Sequence, residues 1–212
     1  MKKVFVLVAV VLVASTLTTV AAFGRETSRS EQTEKVTKLK DLSLEFVGQL
    51  LNSPPGVTPA THAHYGYLSY ISGVRAFNGT PENETTALFT FYAEAATVRV
   101  IANGPMRVIT RVGMVTIYRD PTTNGDFANP ETFRDGTRVL VATLRQQSIV
   151  DTVSNTFTTF HQNRITSTTP FPARQGKVQV GVVGDRFTSG FTGHLNMPGP
   201  PSGYFAGYAV SR

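Results

Sequence analysis

Apolar and polar positions alternate most regularly between Thr86 and Asp120, across ALFTFYAEAATVRVIANGPMRVITRVGMVTIYR. A period of two sustained over runs this long predicts paired β-strands. Asn103-Gly104 at the centre predicts a hairpin turn, because Asn-Gly supplies two positive φ angles at least cost. With opposite residues summing to about 208, Val98, Val100 and Ala102 share a face with Thr110, Val108 and Met106. Thr97, Arg99, Ile101, Arg107, Ile109 and Arg111 then share the other face. Farther from the turn the apolar parity changes, so that Phe89, Phe91 and Ala93 fall with Ile117 and Val115. The two changes, near Ala95 and near Gly113, lie opposite each other. They predict a bend or bulge of the kind that curls a sheet into a barrel or carries a strand between sandwich layers.

The rest of the chain repeats this pattern in shorter pieces. Leu42, Leu44, Phe46, Gly48 and Leu50 form one face of a first strand, and NSPPGVTPAT (52–61) is a loop. A second strand is expected from about Tyr65 to Phe77. After the hairpin comes a long polar loop from Asp120 to Gly136, of the length that marks function or mobility. Arg138 to Val150 is apolar on both parities, and its β-branched content favours a buried strand over a helix. A turn over 151–155 leads to a threonine-rich strand ending at Thr168, and segments 177–183, 187–195 and 204–211 complete the set. Phe46 opens FVGQLLNSPPG, followed by GYLSY at Gly66, and Phe191 opens FTGHLNMPGPPSG, followed by GYFAGY at Gly203. This echo predicts two similar hairpins, one near each end, that lie side by side and close a sheet on itself. The expected fold is all-β, a single antiparallel barrel of about eight or nine strands, calycin-like or allene-oxide-cyclase-like in general shape, with a β-sandwich as the alternative.

The N-terminus bears on where the domain begins. MKKVFVLVAVVLVASTLTTVAAF has two lysines, an apolar run from Val4 to Val13 and small residues ending at Ala22, the pattern of a secretory signal peptide. That apolar run is shorter than the ~20 residues a membrane span needs. Residues 1–22 are therefore read as a signal peptide, 23–40 as a flexible polar leader, and 41–212 as one all-β domain. The chain has no cysteine, so the domain relies on its core alone. A two-lysine leader on a cysteine-free chain fits a bacterial protein exported to the periplasm or beyond. Without Lys2 and Lys3 the chain has 18 Lys and Arg against 14 Asp and Glu, too small and dispersed an excess to bind nucleic acid.

No nucleophile elbow, zincin motif, phosphate-binding loop or dinucleotide fingerprint is present, and no cofactor is expected. His62-Ala63-His64 places two imidazoles on one side of an extended chain, where they could share a metal; a solvent-facing pair at the end of a loop is the plainer alternative. His161 and His194 are the remaining histidines, and the echo brings only His194 into relation with this loop, through its counterpart Gln49. Asp120, Asn124, Asp126, Asn129 and Glu131 offer oxygen donors to calcium, but their spacing is not that of an EF-hand, and the same residues build ordinary turns. Arg99, Arg107 and Arg111 gather on one face of the hairpin, either to hold an anion or as a solvated surface whose stems cover Ile101 and Ile109. Glu94 is the only acid within the hairpin strands and is the candidate general acid or base, whereas Glu45 lies on the more polar face of the first strand.

Fourteen Phe and seven Tyr without Trp fill a barrel interior or line an apolar cavity, and Tyr65, Tyr67, Tyr70, Tyr204 and Tyr208 cluster in the echoed segments as candidate ligand contacts. The run from FTFYAE to NGPM resembles the strand-turn signature of allene oxide cyclase-type barrels over about 20 residues. That resemblance carries no catalytic residue across. The functional expectation is an exported barrel that binds a small apolar or amphipathic molecule. The alternatives are a cofactor-independent cyclase or isomerase in the same cavity, and a surface module contacting protein or polysaccharide.

Overall fold

The computed structural model describes residues 35–39, 41–174, 176–196 and 199–211. The expected signal peptide and most of the leader lie outside them. Eight strands close into a barrel: β2 (Ser43–Asn52), β3 (Thr61–Ile71), β4 (Phe89–Asn103), β5 (Met106–Arg119), β6 (Thr137–Asp151), β7 (Thr156–Thr168), β10 (Arg186–Leu195) and β11 (Gly203–Ser211). Their order around the barrel is β10-β11-β2-β3-β4-β5-β6-β7, and every neighbouring pair is antiparallel. The barrel, and not the sandwich, is the fold. Three short strands form a separate sheet: β1 (Val36–Leu39), β9 (Gly176–Val180) and β8 (Phe171–Ala173). β1 falls within the expected flexible leader. Its side chains are mostly exposed, and parallel backbone pairing with β9 orders it rather than apolar burial.

The two echoed segments are the hairpins β2–β3 and β10–β11, and pairing of β2 with β11 joins them at the closure of the barrel. Phe46 and Phe191 occupy corresponding positions and meet edge to face at 5.8 Å inside. The glycine two residues on has the same task in each. A Cβ on Gly48 would lie 2.6 Å from Cζ of Phe205, and one on Gly193 would lie 2.7 Å from Cζ of Phe157. Each glycine leaves the space that a facing ring fills.

The central hairpin differs in detail from the expected one. Its turn residues are Gly104 and Pro105, and only Gly104 has positive φ, 57°. Proline fixes its own φ near −65°, so the pair of positive angles expected of Asn-Gly does not form. The bulge lies at Val98, between Thr97 and Arg99, and not at Ala95 opposite Gly113. From Phe91 to Thr97 partners sum as expected (Phe91 with Ile117, Thr97 with Arg111), and beyond the bulge each pairing slips by one, as in Arg99 with Thr110. β3 also starts and ends earlier than expected. Thr61–His64 already pair with β4, and the strand stops before Gly73, whose φ is 73°.

The barrel has two unlike ends. Around one, Leu44, Ile71, Phe89, Ile117, Leu140, Ile165 and Phe187 are buried together, and Phe171 of the small sheet packs on Phe89 at 5.3 Å. The opposite end is where β3 begins and β2 and β10 finish, and there the inward side chains turn polar.

Candidate functional site

Alternation fixes what faces inward on each strand. On β3 the inward residues at the polar end are His62 and His64; on β5, Arg107, Ile109 and Arg111; on β6, Gln146 and Ser148; on β7, Thr159, His161 and Asn163. Two cavities result. The inner one, about 50 Å³, is walled by Phe46, Phe91, Phe187, Phe191 and Phe205, with His64, His161, Asn163 and Ser189 at its polar side. The other, about 120 Å³, lies at the barrel mouth among Asn52, His62, His64, Arg107, Arg111 and Thr159, with Ile109, Phe157 and Leu195. His64 borders both. Among the described residues no Asp or Glu lines either one.

The histidines form a connected chain. Asn52 Oδ1 lies 2.6 Å from Nδ1 of His62, and Nε2 of His62 lies 2.6 Å from Nε2 of His64. An amide oxygen only accepts, so His62 carries its proton on Nδ1 and, when neutral, offers a lone pair at Nε2. His64 therefore donates from Nε2, and its Nδ1 is left without a proton. The His64 ring stands edge-on to Phe191 and Phe205 at 5.0 and 5.1 Å, and 5.8 Å from the ring of His161. Burial holds His62 and His64 well below the usual imidazole range and His161 down to about 3, with the Arg111 charge acting in the same direction on all three. The cluster is thus three neutral imidazoles beside one guanidinium. Burial lowers that guanidinium to about 10, which leaves it charged at neutral pH.

Arg111 has few partners for a buried cation. Its Nη1 donates to Ser148 Oγ at 3.4 Å, its Nε has no acceptor, and it makes no ion pair among the described residues. Gln146 Oε1, His161 Nε2 and Asn163 Oδ1 are likewise buried without partners. Most buried polar groups are hydrogen-bonded, and these four exceptions lie together at the polar end of the barrel.

The candidates named from the sequence divide sharply between interior and exterior, and the arginine face is corrected. Arg107 and Arg111 share the inward face, but the bulge at Val98 turns Arg99 to the outer surface beside Thr110 and Arg145. Arg111 is buried rather than solvated. Glu94 points outward, is two-thirds exposed and pairs with Arg134 at 3.5 Å, so it is not an interior acid. The histidine that joins His62 and His64 is His161; His194 is on the outer face opposite Tyr204 and Thr156. Parity held the missing signal, since Phe157, Thr159, His161, Asn163 and Ile165 alternate together on β7. Among the described residues no group of three His, Cys, Asp or Glu side chains is arranged to hold a metal ion.

None of the five tyrosines lines either interior cavity, and Tyr70 borders a cleft on the outer surface with Arg75 and Phe77. Tyr65 is buried on the outside of β3 beneath the 120–136 loop, against Phe127, Phe133 and Tyr92, and donates to Gln49 Oε1 at 3.2 Å. Its hydroxyl is raised to about 12 by that burial. Tyr67 lies beside Phe77 and Phe127 under the same loop, while Tyr70, Tyr204 and Tyr208 are about half exposed. The loop's own acids are used in local turns: Asp120 accepts from the backbone of Thr122 and Asp126 from that of Ala128, while Glu131 takes Arg134 through both oxygens.

The chain matches no family model, no curated protein and no solved structure. No helix among the described residues is long and apolar enough to cross a membrane.

Proposed function

We propose that this chain is an exported barrel that takes a small amphipathic molecule into its interior, apolar body inward and polar head at the mouth. The observation that carries the reading is the division of the interior itself: a phenylalanine-walled cavity and a polar mouth that meet at His64. Sites for small molecules have this composition, mostly apolar lining with a few convergent polar groups. Size follows from volume. An apolar cavity of about 150 Å³ holds benzene, and neither cavity here, at about 50 and 120 Å³, reaches that size, so they suit a short aliphatic chain rather than a ring. Export rests on the leader pattern of residues 1–22.

The test is native mass spectrometry of the purified chain against its denatured mass, followed by titration with short-chain probes read on the ring resonances of His64, His161 and Phe191. A retained organic mass, or saturable shifts confined to those rings, is the expected result. Probes that move only surface resonances, with no retained mass, would sink the reading. A second reading, a cofactor-independent isomerase in the same cavity, draws on the His62–His64 contact, which leaves one imidazole nitrogen without a proton beside the site. Its acid-base work would run through His64 and not through Glu94. Exchange of solvent deuterium into a bound probe, abolished by His64→Gln, is its signature.

A further inference from the structure

We infer that the head group this barrel selects is a carboxylate, held at the mouth by Arg111 as its counter-ion. The inference rests on the binding reading above and adds the chemical class of ligand.

Ser148 Oγ receives two donors, Nη1 of Arg111 at 3.4 Å and Nε2 of Gln146 at 2.7 Å. Its two lone pairs are thereby used, so the contact of 2.8 Å to Thr159 Oγ1 must carry the serine proton outward. Thr159 is then the acceptor in that contact, and its own hydroxyl proton remains unassigned. Thr159 borders the mouth cavity, as does Arg111, whose Nε–H also lacks an acceptor. Thr159 and the fixed cation of Arg111 thus line one cavity that no carboxylate among the described residues enters.

Charge fixes the sign. With His62, His64 and His161 neutral, Arg111 carries the charge of the buried cluster, and Arg107, half-buried at the rim of the same cavity, donates to the carbonyls of Gly104 and Met106 at 2.7 and 3.0 Å and keeps its charge. A buried charge without a partner is expensive, and a single ligand anion removes that cost by adding a charge-assisted hydrogen bond. The two guanidiniums call for an anionic head, and the two oxygens of a carboxylate match the donor fork of Arg111. The apolar cavity beyond His64 calls for a carbon body attached to it. A short aliphatic acid has both features.

The experiment compares butanoate and hexanoate with butanamide and hexanamide, pairs of nearly equal shape that differ in charge, by calorimetry at pH 7.5 on the full chain and on Arg111→Gln and Arg111→Lys. The expected result is that the wild type binds each acid at least about tenfold more tightly than its amide, the scale of a charge-assisted hydrogen bond. Arg111→Gln should erase that preference while leaving amide binding within about threefold, and Arg111→Lys should keep part of it. Equal affinity for acid and amide in the wild type would overturn the inference and leave the binding reading intact. Absence of binding by all four would overturn both. Should Arg111→Gln fail to fold, the wild-type preference together with the Lys variant decides the matter.

Discussion

The two ends of the barrel interior are made from the same strands and the same alternation, yet they are opposites in how completely their groups are satisfied. At the inner end Phe46 meets Phe91, Phe191 and Phe205 edge to face within 5.5–6.2 Å. At the mouth Arg111 Nε has no partner, and behind it Gln146 Oε1 and His161 Nε2 are buried without one. One end stabilises the fold by removing apolar surface from water. The other withdraws polar groups from water without full compensation, which costs stability. The same inward parity therefore serves two purposes along one strand, as on β7, where Phe157 and Ile165 bracket Thr159, His161 and Asn163.

Lowering the pH is the strongest way to press on this difference. Below pH 6.5 the unfolded chain takes a proton on each of His62, His64 and His161, whereas the folded barrel keeps them neutral because burial has lowered all three. The unfolded state then binds more protons, so stability falls as pH falls. For His161 the fall continues to about pH 3, where the folded state begins to titrate as well. Each histidine contributes about 1.4 kcal/mol per pH unit inside its window, on the order of 4 kcal/mol per unit for three. Urea unfolding at pH 7, 6 and 5 measures this, and His161→Gln should remove about a third of the slope. A flat profile between pH 6.5 and 5 would mean that the histidines charge freely in the folded state.

The apolar end gives the next largest effect. Phe191 touches Phe46, Phe157 and Phe205 and stands against His64 and His161. Phe191→Ala should destabilise the barrel by about 3–5 kcal/mol, the range for deleting a buried ring. The midpoint of urea unfolding reports it. A loss under 1 kcal/mol would show that the ring is not part of the packed wall.

The legible part of this molecule follows from local chemistry. Alternation located the strands, Asn103-Gly104 placed the hairpin to within one residue, and the repeated Phe-x-Gly-x-Leu of β2 and β10 foretold how the barrel closes. The site was less legible because one inserted residue decides it. The bulge at Val98 leaves Arg111 inside and turns Arg99 out, and pairing rules alone do not say where a strand holds an extra residue. His161 met His64 only through the curvature of the closed sheet, since the two are on strands that do not pair. Tyr65 is buried by the 120–136 loop, through Phe127 and Phe133, and a loop's path is not encoded in the period of the strand beneath it.

The smallest expected change has the opposite sign to the others, and for that reason it separates the two ends most cleanly. Arg111→Met keeps an unbranched stem in the same space and removes a buried charge that has one long hydrogen bond, to Ser148 at 3.4 Å, and no ion pair among the described residues. Ser148 still has Gln146 as donor and Thr159 as acceptor, so the deletion strands no further group there. Replacing a poorly compensated buried charge by an apolar side chain of similar volume is expected to stabilise by about 1–3 kcal/mol. The histidines respond too. The Arg111 charge is one of the causes holding His62, His64 and His161 low, so its removal lets them take protons more readily and the acid loss of stability becomes shallower. Urea midpoints at pH 7 and pH 5 test both statements on one variant. A variant less stable than wild type at both values would make Arg111 a structural member of the mouth, and the contrast between the two ends would then reduce to a difference in polarity alone.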